Sequence, residues 1–138
     1  VKYVLDASVA LKWVLPEIHA DVACHLLDQF SNGDIEFHAP DVFLAEIAHA
    51  LTRAERRRTI LPGQAETFIT DILISLPLLH SSLPLIQRAV AISAATGASS
   101  YDSLYLALAE EQQCELITAD QKLIAKFPQF PIVDLASL

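Results

Sequence analysis

The chain has 138 residues, 53% of them hydrophobic and 19% charged, the size and balance of one folded domain, which excludes a disordered chain. Its formal net charge of −8 excludes a protein that grips nucleic acid through a broad basic face, but not one whose site is built from carboxylates. The most apolar stretch, residues 69–86, is interrupted by Asp71, Pro77, His80 and Pro84, so no membrane span is expected, and the N-terminal residues lack a signal peptide's apolar core, so a cytoplasmic location is expected.

Residues 1–6 form an apolar run ending in a carboxylate, which predicts a buried parallel strand. A short helix is expected over residues 7–15, stopped by Pro16. Residues 17–32 carry helical spacing at Ile18, Val22, Leu26, Leu27 and Phe30, closed by Asn32-Gly33. Residues 35–39 predict a strand. Pro40 suits the first turn of a helix reaching about Arg58, with an apolar stripe of Leu44, Ile47, Ala48, Leu51 and the aliphatic stem of Glu55. Pro62-Gly63 opens a helix to about Leu76. A brief strand follows at 77–80, then a helix at 82–96 closed by Gly97. Ser99-Ser100 offers a cap for a helix over 101–112. Residues 114–118 predict a strand, 120–127 a short helix and 131–135 a final strand.

Strands alternating with helices imply one α/β domain over residues 1–138, three-layered, with a mostly parallel central sheet. Cys24 and Cys114 lie in apolar segments without metal-type spacing and are expected to be buried free thiols. A mean hydropathy of +0.39 is high for so small a domain. It predicts exposed apolar surface that a partner covers.

Four acids stand out. Asp6 and Asp120 fall at the C-terminal ends of two predicted strands, the edge where open α/β sheets bind ligands. Either alone suits a helix cap; two at corresponding ends point to a site. Asp102 lies in the first turn of its helix, where the dipole favours negative charge. Its helical neighbours Tyr105, Leu106 and Ala109 are nearly all apolar, and a carboxylate there needs a positive group to meet it. Glu46 is placed mid-helix, opposite the apolar stripe and in line with Arg53 and Arg57. His49 and Ala50 occupy the positions where a helical salt-bridge partner would stand. If the four acids converged, they could not all stay ionised without a cation. Mg2+ and Mn2+ take carboxylate oxygens and keep several waters. Either ion acidifies its water and offsets charge on a phosphodiester. Spacing alone does not bring the four together.

The motifs around these acids resemble those of a known family. Val4-Leu5-Asp6-Ala7-Ser8 is similar to the opening motif of PIN domains. Ala39-Pro40 followed by Ala45-Glu46-Ile47 resembles their second motif. Residues 101–109, Tyr-Asp-Ser-Leu-Tyr-Leu-Ala-Leu-Ala, resemble the third, closely so in VapC-type toxins, and Leu116-Ile117-Thr118-Ala119-Asp120-Gln121-Lys122-Leu123 resembles the fourth. The resemblance implies a PIN-like α/β/α fold in which Asp6, Glu46, Asp102 and Asp120 bind one or two Mg2+ or Mn2+ ions, with Ser8 and Thr118 supporting the site. It implies an endoribonuclease toxin of a toxin-antitoxin pair, which hydrolyses RNA to a 5′-phosphate and a 3′-hydroxyl. The partners would be a second copy of the chain and a cognate antitoxin. Lys122 departs from members that carry a further acid there, which bears on the second metal.

Arg53 and Arg57 share the face assigned to Glu46 and are candidate contacts to substrate or antitoxin. Arg56 and Arg58 read as a solvated helix end. Glu46-x-x-His49 occurs once, whereas di-iron bundles need two such motifs, so His49 reads as a surface residue. The other histidines have no zinc-type spacing. Trp13 reads as packing rather than as a base-stacking platform. A catalytically silent partner-binding domain would carry four acids to no purpose. A haloacid-dehalogenase-type phosphatase would want Asp at the place of Ser8. DNA nucleases of related fold are usually longer.

Overall fold

The computed structural model describes all 138 residues. Its sheet is organised around β1 (Lys2–Leu5), where Val4 and Leu5 point to opposite faces and both are fully buried. The chain then runs through α1 (Ala7–Leu11), α2 (Ala20–Ser31), β2 (Glu36–Pro40), α3 (Val42–Arg56), α4 (Gln64–Ile74), β3 (Leu78–His80), α5 (Ile86–Thr96), α6 (Ser100–Gln112), β4 (Glu115–Thr118), α7 (Gln121–Lys126) and β5 (Ile132–Asp134), ending in a 3-10 turn at Leu135–Ser137. The strand order is β3-β2-β1-β4-β5. Every pairing is parallel, so the sheet is wholly rather than mostly parallel.

Two apolar cores flank the sheet. Leu5, Phe37, Ala39 and Ile117 face Ala23 and Leu26 of α2, Phe43, Ile47 and Leu51 of α3 and Ala65 and Ile72 of α4. Val4 and Leu116 face α5, α6 and α7. The three-layer α/β/α arrangement therefore follows from the alternation of side chains along each strand. Helix α6 is buried from Ser103 to Ala109 without a break. It packs on α5 and across β1, β2 and β4, so an apolar surface on every side is what its position demands.

Element order agrees with the sequence reading; the boundaries differ where local geometry intervenes. Helix α1 stops at Leu11 and continues as turns, with Trp13 and Val14 bonding back three residues. Helix α2 begins at Ala20, because His19 takes a left-handed conformation at φ 63°. Ile18, expected on its apolar face, is thus left outside and exposed. Helix α5 begins at Ile86 rather than at residue 82. Its expected stop holds: Gly97 has φ 79°, a conformation glycine adopts freely. The buried stripe of α3 is Phe43, Ile47 and Leu51, whereas Ala48 is exposed and Leu44 half-buried. Glu55 contributes a carboxylate rather than a stem: its Oε1 accepts from the backbone N–H groups of Gly63 and Ala65 at the start of α4.

Both cysteines are free, but the expectation that both are buried is corrected. Cys24 is exposed, because the buried side of α2 is Ala23 and Leu26. Cys114 is half-buried. No helix is long and apolar enough to cross a membrane. Exposed apolar side chains include Leu61, Ile74, Leu78, Leu83 and Val90.

Candidate active site at the switch point of the sheet

From β1 the chain winds outward through β2 and β3, whereas β4 and β5 lie on the other side of β1. The connections leaving β1 and β4 therefore part in opposite directions. A crevice opens at the C-terminal ends of these two strands, where doubly wound sheets bind their ligands. Asp6 follows β1 directly and Asp120 lies two residues past the end of β4. Leu5 is in register with Ile117, and the Asp6 N–H donates to the Ile117 carbonyl at 3.0 Å.

Asp6 is 7% exposed, and its carboxylate does not cap α1. Two hydroxyls instead converge on its Oδ2, Ser8 Oγ at 2.5 Å and Thr118 Oγ1 at 2.9 Å. The hydroxyls are themselves held. Ser8 Oγ accepts from the Ala119 N–H and Thr118 Oγ1 from the Asp120 N–H, each at 3.0 Å. This mesh staples the ends of β1 and β4 together and fixes the carboxylate. Burial raises the Asp6 pKa above its ordinary value, against the two hydroxyls, and the charge of Asp120 raises it further.

Asp120 does cap its helix: Oδ1 accepts from the N–H groups of Lys122 and Leu123. Capping and membership of an acidic rim are thus compatible, because the cap engages one of the two oxygens. Asp102 sits in the first turn of α6, whose N-cap is Ser99 as expected; Ser99 Oγ accepts the Asp102 N–H at 3.0 Å. Burial raises the Asp102 pKa, and the charges of Asp6 and Asp120 raise it further.

The wheel sets Glu46 away from the apolar stripe of α3, but that side of the helix is not open. Glu46 is half-buried against α6, where Tyr105 Oη donates to its Oε1 at 2.7 Å. Burial is the main cause that lifts its pKa to about 7. The Tyr105 hydroxyl opposes the rise, and the charges of Asp6 and Asp102 add to it. Tyr105 is the participant that the sequence reading noted only as a neighbour. Its signal was a phenol inside the otherwise aliphatic run Leu104–Leu108; such a buried hydroxyl needs an acceptor. Its own pKa is driven far above the usual phenol value by burial and by Asp6 and Glu46.

Each of the four acids is therefore close enough to at least one other for charge to be felt between them, through Asp6 above all. The chain's ion pairs are Lys12–Glu17 and Arg88–Glu110, and neither neutralises this rim. No three His, Cys, Asp or Glu side chains lie close enough to enclose an ion directly. The acids share a field rather than form a closed cage.

Arg53 and Arg57 are exposed, and helical geometry puts both in line with Glu46. Trp13 packs as expected, with Nε1 donating to the Ala23 carbonyl at 3.0 Å and its ring 6.3 Å from that of Phe37. Spacing concealed one histidine pair, because its members lie on different strands. His38 Nδ1 and His80 Nε2, on β2 and β3, are 2.8 Å apart.

An acidic rim at the switch point of a parallel α/β/α sheet defines a class, and comparison identifies it. The PIN domain family model matches residues 3–128, and the chain belongs to that family. It is 30% identical, over 92% of its length and 95% of the relative's, to Ribonuclease VapC3 of Pyrobaculum aerophilum. Its fold is similar to a crystal structure from Pyrobaculum aerophilum, with a TM-score of 0.72 at 22% identity over 99% of this chain and 92% of the other. It is also similar to VapBC2 of Rickettsia felis bound to a DNA fragment from the promoter, with a TM-score of 0.71 at 14% identity over 97% of this chain and 98% of the other.

Proposed function

We propose that the chain is a divalent-metal-dependent endoribonuclease, the toxin of a toxin-antitoxin pair, with Asp6, Glu46, Asp102 and Asp120 as its metal-binding acids. The observation that carries this reading is a set of four carboxylates sharing one field at the switch point, none of them in a salt bridge and only Asp102 feeling a basic charge, that of Lys126, in a chain 30% identical to Ribonuclease VapC3. The donor set fits Mg2+ or Mn2+. It is all oxygen, the ligand type these hard ions take, and with no three of the acids close enough to enclose an ion, water would complete its shell. A bound ion of this kind supplies an acidified water and a counter-charge for the phosphodiester.

The chain's own groups do the rest. Ser8 and Thr118 hold Asp6 by Oδ2 and fix its orientation. Tyr105 holds Glu46 by Oε1, and the α7 N-terminus holds Asp120 by Oδ1, so each of these acids keeps a second oxygen and would be able to hold a metal. Arg53 and Arg57, further along α3 on the line of Glu46, contact the substrate's phosphates or the antitoxin. A cognate antitoxin and a second copy of the chain cover the exposed apolar residues. Lys122 in place of a further acid favours a single tightly held ion.

A cleavage assay with mapped product ends tests the reading. RNA should be cut with Mg2+ or Mn2+ to leave a 5′-phosphate and a 3′-hydroxyl, cutting should cease with EDTA, and Asp6→Asn or Asp102→Asn should remove it while the fold survives. Full activity in either variant would reject the site assignment.

A further inference from the structure

We propose that the cleft beside Glu46 is a nucleobase subsite, in which Tyr101 stacks on an unpaired base next to the scissile phosphate and His49 meets the edge of that base. The inference rests on the reading of the acids as a site of RNA cleavage, and it names the part of the substrate that this site holds.

The cleft is about 430 Å³ and is lined by Val42, Ala45, Glu46 and His49 of α3 and by Tyr101 of α6. Glu46 is at once a wall of the cleft and a member of the acidic rim, so whatever occupies the cleft lies beside the reacting phosphate. Tyr101 directly precedes Asp102, yet its side chain goes another way. It is 59% exposed, whereas Tyr105 one turn on is fully buried. Packing accounts for Tyr105 and does not account for Tyr101.

An aromatic face at a nucleic-acid site offers stacking to any base, since each has a π-face. Val42 and Ala45 give the opposite wall a small apolar surface, against which a flat ring can lie. His49 is exposed, and a neutral imidazole carries one donor and one acceptor for a base edge. Arg53 stands one turn beyond His49 on the same helix, suited to the adjoining phosphate. An apolar peptide side chain would have no use for the Glu46 and His49 walls, which favours a nucleotide. A stacked base must be unpaired, so the preferred substrate is single-stranded at the cut.

The test uses the intact protein and short RNAs carrying a fluorescent adenine analogue that stacking quenches, with Ca2+ to permit binding and Mg2+ or Mn2+ to permit cutting. Quenching is expected when the analogue lies next to the cut bond. Tyr101→Ala should abolish it and weaken RNA binding about tenfold to a hundredfold, with metal binding unchanged. Tyr101→Phe should restore both, and His49→Ala should change which base is preferred there. A wild type that cuts RNA while Tyr101→Ala binds and cuts equally well would overturn the subsite. So would a Tyr101→Phe variant as impaired as Tyr101→Ala, or a Tyr101→Ala variant impaired only toward a partner protein. Tyr101-dependent RNA binding without any cutting would support the subsite and instead sink the ribonuclease reading.

Discussion

Tyr105 Oη donates to Glu46 Oε1 at 2.7 Å across 59 residues of sequence, and this bond ties α3 to α6 beside the acidic rim. Burial and the charges of Asp6 and Asp102 push Glu46 toward its neutral form, while the phenol bond favours the carboxylate. Tyr105→Phe removes the opposing influence. The Glu46 pKa of the metal-free protein should then rise above about 7, and a divalent ion, which needs the carboxylate, should bind more weakly at neutral pH. Calorimetric titration of the metal against pH checks this. In the wild type affinity should climb as pH rises through about 7 with release of a proton; in the variant the climb should move to higher pH. An unmoved profile would mean that the phenol does not govern this acid.

The same acids make the stability of the metal-free protein depend on pH. Asp6, Glu46 and Asp102 all have folded-state pKa values raised above their ordinary ones. A raised acid binds its proton more tightly in the folded state, so its penalty is absent at low pH. The penalty appears as pH rises past the unfolded value and is complete above the folded one. For Glu46 that window runs from about 4.5 to about 7. Water still reaches this half-buried group and screens it, so its share is held to roughly 1–2 kcal/mol. The melting temperature without metal should therefore fall by several degrees across this window, and Mg2+ or Mn2+ should restore it at neutral pH. Asp6→Asn should flatten the fall and reduce the rescue by metal. Melting curves with and without EDTA measure all three effects.

Period and punctuation made the strand and helix order legible: Gly97 ended α5, Ser99 capped α6, and Asp6 and Asp120 closed apolar runs. The acids that end strands could be recognised because strand ends are marked by where the apolar run stops. Glu46 was harder to place. A helical wheel shows which residues share a face but not what packs on that face, and α6 packs against the side that carries Glu46. Tyr105 escaped for the matching reason, since its partner lies on another helix. His19 shows a different limit: a left-handed residue leaves no apolar signature, so the start of α2 was misplaced.

Arg53 and Arg57 extend the line of Glu46 along α3 as exposed cations in a chain of net charge −8. Replacing both with Gln should weaken RNA binding and flatten its dependence on salt by about one unit of slope for each phosphate no longer neutralised. Metal affinity should not change, because neither arginine touches the acids. Binding isotherms at several salt concentrations separate this from a folding defect, which would lower affinity without changing the slope.

Ser103 Oγ is fully buried and is the one buried side-chain polar atom without a hydrogen-bond partner. A buried hydroxyl in that state is a liability rather than a contribution. Ser103→Ala should leave α6 in place and stabilise the protein by up to about 1 kcal/mol, since alanine also suits a helix interior better. Chemical denaturation should show a higher midpoint with an unchanged slope. A loss of stability would mean that the hydroxyl is satisfied in solution.

The N-cap of helix α4 is Gly63, which has no side chain with which to cap it, and Glu55 of α3 supplies the missing acceptor. One oxygen, Oε1, takes the N–H groups of Gly63 at 2.9 Å and Ala65 at 3.0 Å. The carboxylate also lies at the positive end of the α4 dipole. Glu55→Ala leaves both donors without their partner and loosens the packing of α4 on α3, at a cost of about 1–2 kcal/mol. Glu55→Gln keeps an acceptor and loses only the charge, so it should cost less than half as much. Both variants should keep metal affinity, because Glu55 lies outside the acidic rim. Urea melts would show the graded loss, and equal losses in the two variants would mean that charge, rather than the hydrogen bonds, holds this helix start.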